Sequence, residues 1–395
     1  MEIQATDENA GQLDPAFGVV GQIRPNFLAG SVRAVVLSGE GELTYATRQG
    51  DGFTVYRTDS DGIKDKAFGN DGNTGEWQFV SGKKASPARL LLQEDRKILV
   101  IGDTREPDGI GRAALRRFHA NGSPDLDFGS VVIPVAQHDY SQVALIDGCL
   151  QGDGKVLVAF SYFISESEGS LLVRLHSNGE LDTGFGDRGF LEIETAGDFI
   201  RLCSVVIQEG KIVVGGTTTS GQLVLARFDL EGRVDSQFGV DGFTFLASTD
   251  GSLKMSQLIA QADGKLACAG GLQESMGMAM RFTADGHPDK EWNGGLPVFT
   301  NTGPETFWRS LAQQPDGKIV VVGYNRALHI IAGRLLPNGN YDTHFGGTGA
   351  GWVSFGPSGG LPWDVKVQSG ARIIVGGEAF IEAGNRGPVV YGLQA

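Results

Sequence analysis

The chain has 395 residues, of which 60 are glycine and 41% are apolar, so it can bury a large core while turning often. Its formal charge of −14 argues against a nucleic-acid backbone or an anionic membrane as the main partner. No apolar stretch reaches the ~20 residues that a membrane helix needs, and the N-terminus lacks the basic and apolar regions of a cleavable signal peptide. We therefore expect no membrane insertion. The protein is either cytoplasmic, or exported by a route without a cleaved signal, or already stripped of such a signal.

A phrase of the form Asp-x-x-aromatic-Gly recurs along the chain and sets its period. Its aromatic residues lie 51 to 60 residues apart, at Phe17, Phe68, Phe128, Phe185, Phe238, Trp292 and Phe345, and the Trp292 copy is degenerate, with Asn293 in place of glycine. A period of this length, with several short strands in each unit, is typical of a β-propeller. The sequence therefore predicts an all-β fold, a seven-bladed β-propeller of four-stranded blades.

Each repeat is predicted to form four strands, named a to d in chain order. Strand a is a short apolar segment that ends in Gln in six copies, at Gln93, Gln151, Gln208, Gln261, Gln314 and Gln368. Ser38 holds that place in the first copy. An Asp-Gly turn, as at Asp316-Gly317, leads to the β-branched strand b, which indicates a tight hairpin. Strand c, a second turn and the repeated phrase then lead to strand d.

Six copies carry an arginine eight residues before the aspartate of the phrase. The pairs are Arg57 and Asp65, Arg117 and Asp125, Arg174 and Asp182, Arg227 and Asp235, Arg281 and Asp289, and Arg334 and Asp342. Because each pair brackets the turn between strands c and d, we expect a charge-assisted hydrogen bond. A pair repeated in this way is interpreted as structural, and the aromatic residue after it as a spacer between blades. Asp14 has no arginine at the matching position.

The two ends of the chain each hold part of a repeat. The segment from Leu13 onward supplies the last third of a unit, and the C-terminus supplies strands a, b and c without a strand d. We therefore expect one domain over residues 1–395, in which residues 13–26 provide the outer strand of the last blade. Such a 3 + 1 closure removes open sheet edges and predicts a monomeric ring.

The repeated units resemble those of the delta-60 repeat family. The resemblance is carried by HSNGELDTGFGDRG (His176 to Gly189) and QQPDGKIVVVG (Gln313 to Gly323) and extends, more weakly, over nearly the whole chain. It implies a β-propeller, usually of a bacterial protein that is often surface-exposed or secreted. It implies no activity and no catalytic residues.

The loops from strand d to strand a and from strand b to strand c differ between copies, so the face that they form is predicted to bind a ligand. Its candidate ligand-binding residues are Trp308, Trp363, Tyr140, Phe199, Arg309, Arg33 and Arg89. Trp308 and Trp363 precede strand a in adjacent blades and are suited to stacking on sugars or holding a protein anchor. The structural alternative is that they cap the blade cores. The arginines either ring the channel mouth, which would favour an anionic ligand, or are scattered surface charges.

No catalytic or metal-binding motif accompanies these residues. The histidines form no HxH or HExxH, and Cys149, Cys203 and Cys268 form no CxxC, so we expect buried thiols, no metal and no cofactor. The leading hypothesis is a non-enzymatic recognition module that binds a glycan or a protein partner. Two alternatives are a structural spacer of a surface or secreted system, and a propeller hydrolase or lyase. The enzyme would use residues at the channel mouth, namely His138, Asp139, Asp364 and Glu378.

Overall fold

A computed structural model describes the chain over residues 9–25, 29–105, 110–134, 142–164, 167–195, 197–273, 275–303, 305–327, 329–368, 372–382 and 385–395. The strands in this part of the chain are β1 (Gln22–Ile23), β2 (Gly30–Leu37), β3 (Leu43–Gln49), β4 (Gly52–Thr58), β5 (Asn73–Trp77), β6 (Lys84–Leu92), β7 (Ile98–Arg105), β8 (Gly111–Phe118), β9 (Ser130–Val132), β10 (Gln142–Leu150), β11 (Val156–Ile164), β12 (Ser167–Leu175), β13 (Phe190–Glu192), β14 (Ile200–Gln208), β15 (Lys211–Thr218), β16 (Leu223–Phe228), β17 (Phe243–Leu246), β18 (Leu253–Ala260), β19 (Leu266–Leu272), β20 (Met276–Phe282), β21 (Val298–Thr300), β22 (Phe307–Gln313), β23 (Ile319–Tyr324), β24 (Ile330–Leu335), β25 (Trp352–Phe355), β26 (Leu361–Gln368), β27 (Arg372–Glu382) and β28 (Asn385–Gln394). One short 3-10 turn spans Asn293–Gly295, and no helix among these residues is long and apolar enough to cross a membrane.

The strands pair into seven four-stranded antiparallel sheets, so the predicted seven-bladed propeller is confirmed. Blades 1 to 6 are β2–β5, β6–β9, β10–β13, β14–β17, β18–β21 and β22–β25, in each of which the strand order follows the chain. Strand a of each repeat is the innermost strand and strand d the outermost. The turns after strands a and c share one face of the disc, here called the turn face, and the divergent loops share the other face.

Blade 7 combines both ends of the described chain. Its order is β26, β27, β28 and β1, with Gln22 opposite Tyr391 and Ile23 opposite Val390. A further antiparallel bridge joins Leu13 to Leu393. The first described strand therefore lies at the outer edge of the last blade.

The arginine and aspartate of each of these six repeats form the expected hydrogen bond, and in blades 1 to 4 the arginine also donates to a carbonyl of the next blade. Arg227 donates from Nε to Asp235 Oδ2 at 2.7 Å, and its guanidinium lies 4.6 Å from the ring centroid of Phe238. Its Nη1 donates at 2.6 Å to the carbonyl of Ala284 in the next blade. We call this group of arginine, aspartate and aromatic residue a clamp, because it joins one turn to the next. The other five pairs predicted from the sequence have the same Nε to Oδ2 hydrogen bond, at 2.7 to 2.8 Å.

The clamp of blade 7 takes its arginine from a different strand. Arg372, the first residue of β27, donates from Nε to Asp14 Oδ2 at 2.6 Å and lies 5.1 Å from the ring of Phe17. Its Nη1 donates at 2.6 Å to the carbonyl of Ser60 in blade 1. Arg372 occupies the position that holds lysine in five of the six other repeats, such as Lys318, and Glu42 in the first. The arginine missing before Asp14 is thus supplied from the other end of the chain.

Every innermost strand contains a β-bulge, an irregularity in pairing that changes which side chains face the channel. In blade 4, for example, Leu202 pairs with Gly216 and Ser204 with Gly215, so Cys203 is the extra residue. The residue at the bulge always lies five positions before the repeated Gln or Ser38. The seven bulge residues are Arg33, Ala88, Ile146, Cys203, Ser256, Arg309 and Trp363.

Candidate functional site: a cationic funnel at the channel mouth

All seven bulge residues line one cavity on the divergent face, where the innermost strands begin. Its volume is about 940 Å³, within the range of small-molecule sites. We call this cavity the funnel. Its remaining walls come from residues just before the bulges and from the ends of neighbouring strands b, such as Arg48 and Arg105.

The funnel is cationic although the chain is acidic. Its lining contains six basic side chains and two carboxylates: Arg33, Arg48, Lys84, Arg105, Lys254 and Arg309 against Asp103 and Glu305. When the charges that line a cavity of low dielectric constant have the same sign, they strengthen the local electrostatic field and attract ions of opposite charge. The local field of the funnel therefore opposes the net charge of −14 and favours anions.

Both carboxylates of the funnel form ion pairs, whereas three of its arginines form none with the described residues. Arg105 Nε lies 2.7 Å from Asp103 Oδ2, and Arg326 Nη1 lies 3.2 Å from Glu305 Oε1. Within the described part of the chain, no ion pair neutralises the guanidiniums of the three other arginines, which are Arg33, Arg48 and Arg309. These positive charges remain available to a ligand.

Burial is the main reason that the pKa of Arg33 falls to about 10, and repulsion from Arg48 and Arg309 lowers it further. Glu378 and Asp103 oppose that shift by attraction, but they do not reverse it. Arg48 and Arg309 thus lie close enough to Arg33 to destabilise its charge. An anion bound between them would relieve this repulsion.

Trp363 connects two of these arginines. The guanidinium carbon of Arg33, from blade 1, lies 3.5 Å from the indole centroid, and that of Arg309, from blade 6, lies 4.1 Å away. The indole therefore holds one arginine from each neighbouring blade by cation–π contact. Its Nε1 and the Nε of Arg309 are buried donors that have no hydrogen-bond partner among the described residues. Buried donors normally find an acceptor, so this part of the funnel lacks an acceptor that a ligand or water can supply.

A second layer of side chains, one residue further along each innermost strand, closes the channel beneath the funnel. Arg89 Nε lies 3.1 Å from Asp147 Oδ1, and the other oxygen of Asp147 accepts from Ser204 Oγ at 2.8 Å. Asp364 Oδ1 accepts from Lys366 Nζ at 2.6 Å. The attraction of Asp147 raises the pKa of Arg89, so this arginine is charged but neutralised. Arg89 lines only a smaller space of about 100 Å³ beneath the funnel.

The wall formed by blades 3 and 4 is apolar. It consists of Val143, Leu145, Ile146 and Cys203. The thiol of Cys203 donates to the carbonyl of Gly215, and burial raises its pKa well above the usual value, so it is an inert apolar group in this wall. The funnel therefore has a cationic side and an apolar side.

Trp308, predicted to bind a ligand beside Trp363, does not reach the funnel. Its side chain is 0% exposed, packs in the core between blades 5 and 6, and donates from Nε1 to Thr300 Oγ1 at 3.4 Å. The cause is an offset of one residue, because Trp308 lies six positions before Gln314 and Trp363 five positions before Gln368. A shift of one residue turns a strand side chain to the opposite face. The structure thus agrees with the alternative that Trp308 belongs to the blade core, and not with the prediction that it faces a ligand.

Of the other predicted aromatic residues, only Phe199 is described by the structure. Phe199 is 51% exposed but lies outside the funnel lining. Tyr140 falls outside the described residues, as do His138 and Asp139 of the enzyme alternative.

The two described carboxylates of the enzyme alternative do not form an acid–base pair. Asp364 lies in the second layer, and Glu378 Oε1 is 3.1 Å from Arg386 Nη1. No group of three His, Cys, Asp or Glu side chains suited to a metal ion occurs among the described residues. Sequence reasoning missed Arg48, Lys84 and Arg105 because they lie at strand ends that the repeat alignment did not mark as lining the channel.

The comparisons with known proteins agree on the fold. Residues 93–128, 151–185, 209–238 and 314–345 match the model of a β-propeller family, a domain of unknown function (DUF5122). This supports a propeller repeat family, whereas the delta-60 assignment stays a prediction. The chain has no match among curated proteins.

Several solved propellers are similar to the chain in fold. Virginiamycin B lyase from Staphylococcus aureus, an inactive variant solved with quinupristin, has a TM-score of 0.52 and 10% identity over 93% of this chain and 97% of that one. Polysaccharide lyase Uly1 has a TM-score of 0.50 and 11% identity over 100% and 94% of the two chains. YCF48 bound to D1 peptide has a TM-score of 0.50 and 10% identity over 95% of each chain. At such low identity these likenesses concern the fold alone.

Proposed function

We propose that this protein is a non-enzymatic recognition module that binds an anionic group of its partner, a glycan or a protein, in the funnel. The observation that carries the proposal is the set of three funnel arginines without an ion pair among the described residues, Arg33, Arg48 and Arg309. Two of them, Arg33 and Arg309, contact the indole of Trp363. Charge rather than sugar stacking is the basis of recognition here, because guanidiniums already cover the indole.

Binding explains the funnel better than catalysis does. A general base needs a carboxylate or imidazole that is free to take a proton from the substrate. The two carboxylates in the described lining, Asp103 and Glu305, instead face arginines at 2.7 and 3.2 Å. Similar propellers include lyases and a peptide-binding protein, so the fold itself favours neither function.

The test is isothermal titration calorimetry with acidic and neutral polymers of matched length. The probes are a polyglutamate peptide, oligogalacturonate, a polyglutamine peptide and a neutral dextran. We expect the two acidic probes to bind, the neutral ones not to bind, and the affinity to fall with added salt, as screening requires. A charge-assisted hydrogen bond contributes about 2 kcal/mol, so Arg33→Gln and Arg309→Gln should each weaken binding about 30-fold.

The matched control is Arg188→Gln, which removes the same charge from an exposed site on the turn face. It should leave binding within about twofold. Binding of the neutral probes as tightly as the acidic ones, an equal loss in the Arg188 variant, or no binding by either acidic probe would each contradict the proposal.

A further inference from the structure

We infer that the funnel is built for an amphipathic anion, an oxyanion head group joined directly to an apolar group. The head group is bound by Arg33, Arg309 and the indole N–H of Trp363, and the apolar group packs on Leu145 and Ile146 of blade 3. This inference rests on the proposed function and adds the chemistry of the group that enters the funnel.

Leu145 is the first observation. It lies six positions before Gln151, and at this position the six other blades bury their side chains, which are Val32, Pro87, Leu202, Met255, Trp308 and Pro362. Leu145 instead is 49% exposed in the funnel wall. Blade 3 thus presents to the ligand a large apolar side chain that the repeat otherwise places in the core.

The backbone of Leu145 is the second observation. Its φ is 53°, a left-handed conformation that costs a non-glycine residue roughly 1–2 kcal/mol. The pairing of blade 3 is also more irregular here, since it passes from Ala144 opposite Ser161 to Asp147 opposite Ala159, which leaves two residues of β10 unpaired. The bulges in the other blades leave a single residue unpaired.

This strain is not a property of the repeat. Other left-handed residues recur in the same turn of several blades, at Val20, Asp71, Arg188 and Asp241, and so belong to the scaffold. Among the described residues of the innermost strands, only Leu145 has a positive φ outside glycine. Local strain that is confined to one copy and exposes an apolar side chain in a cavity is a sign of function.

The third observation is the placement of the blades around the channel. In a ring of seven, blade 3 lies across the channel from blades 6 and 7, which carry Arg309 and Trp363. Ile146, Val143 and Cys203 extend the apolar wall beside Leu145. A ligand whose oxyanion meets the buried donors of blades 6 and 7 therefore directs its other end to an apolar surface. Charge complementarity favours an oxyanion as the head group, and burial of apolar area favours an apolar group at the other end of the ligand.

The test is calorimetric titration with two series of probes, the straight-chain carboxylates from acetate to octanoate and the alkyl phosphates of the same chain lengths. We expect each added methylene to tighten the Kd about fourfold, as the burial of about 0.8 kcal/mol per methylene predicts, in at least one series. Leu145→Asn should flatten this dependence on chain length, because it removes the apolar surface on which the chain packs.

Asparagine is chosen because it tolerates the left-handed conformation, so the variant should fold. The matched control is Val20→Asn, which changes another exposed apolar residue of φ 53° on the turn face, and it should keep the full dependence on chain length. If acetate and octanoate bind equally, or if both variants behave alike, the amphipathic ligand is refuted while anion binding stands. If no anion binds at all, the proposed function itself fails.

A second pair of probes distinguishes two sources of the same chemistry. One is a tripeptide ending in leucine with a free carboxylate, and the other is the same tripeptide as its C-terminal amide. Tighter binding of the free peptide than of hexanoate identifies a peptide chain end, and tighter binding of hexanoate identifies a free organic acid. Both outcomes require the amide to bind at least 30-fold more weakly than the free peptide, and equal binding of the two peptides would overturn the inference.

Discussion

The two faces of this propeller use the same repeat in opposite ways. On the turn face every blade carries the same clamp, and even the closing blade restores it by bringing Arg372 to Asp14. On the funnel face one position of the innermost strand carries six different residue types in seven blades, from Ala88 to Trp363. The comparison teaches that recurrence marks residues that hold the blades together, whereas variation at a fixed structural position marks residues that line the funnel.

The sharpest way to break this comparison is to disable one clamp. Asp289→Asn leaves Arg281, whose side chain is 6% exposed, with a buried charge that has lost its carboxylate partner. We expect the free energy of unfolding to fall by about 3–5 kcal/mol, measured by urea denaturation. Asp187→Asn, an exposed aspartate of the turn face that also lies next to an arginine, is the control and should cost less than about 1 kcal/mol. Equal losses would show that the repeated pair is no more structural than a surface ion pair.

A smaller effect is expected at the closing blade. Arg372→Met removes the hydrogen bonds to Asp14 and to the carbonyl of Ser60, both of them partly exposed to water. We expect a loss of about 1–3 kcal/mol, together with faster hydrogen exchange in β1 than in the equivalent outer strand β13. Uniform acceleration of exchange in all outer strands would instead indicate that Arg372 does not serve the closure in particular.

The smallest effect is expected on the funnel face. Arg33→Gln removes a cation whose pKa is lowered by burial and by neighbouring arginines, and it also removes the contact with Trp363. Because these two effects oppose each other, the free energy of unfolding should change by no more than about 1 kcal/mol in thermal denaturation at pH 7. A loss above about 2 kcal/mol would assign Arg33 to the scaffold, and the contrast between the two faces would fail.

Prediction from the sequence was strongest where the same residues recur in many copies. The seven phrases predicted the number of blades, and the six Arg–Asp pairs predicted the contacts of the turn face. The partner of Asp14 was missed because the repeat places the arginine upstream of the aspartate, whereas closure brings Arg372 from the opposite end of the chain. Spacing along the sequence carries no information about residues that meet only through ring closure.

The residues that line the funnel were predicted less well than the contacts of the turn face. Arg33, Arg309 and Trp363 do meet there, but Trp308 was grouped with Trp363 because both precede strand a. Counting back from Gln314 and Gln368 shows the difference of one residue that separates core from channel. The exposure of Leu145 could not be foreseen, because it arises from a backbone conformation that departs from the repeat in one blade only.

The bulge in each innermost strand places one variable side chain per blade in the funnel lining. All seven bulge residues line the funnel and none of them belongs to a clamp, although Ile146 and Cys203 also pack on the blade cores. Substitutions at the other five positions would therefore change the charge and shape of the funnel while the clamps stay in place. A library of variants at these positions would keep the same scaffold, and binding proteins for chosen ligands could be selected from it.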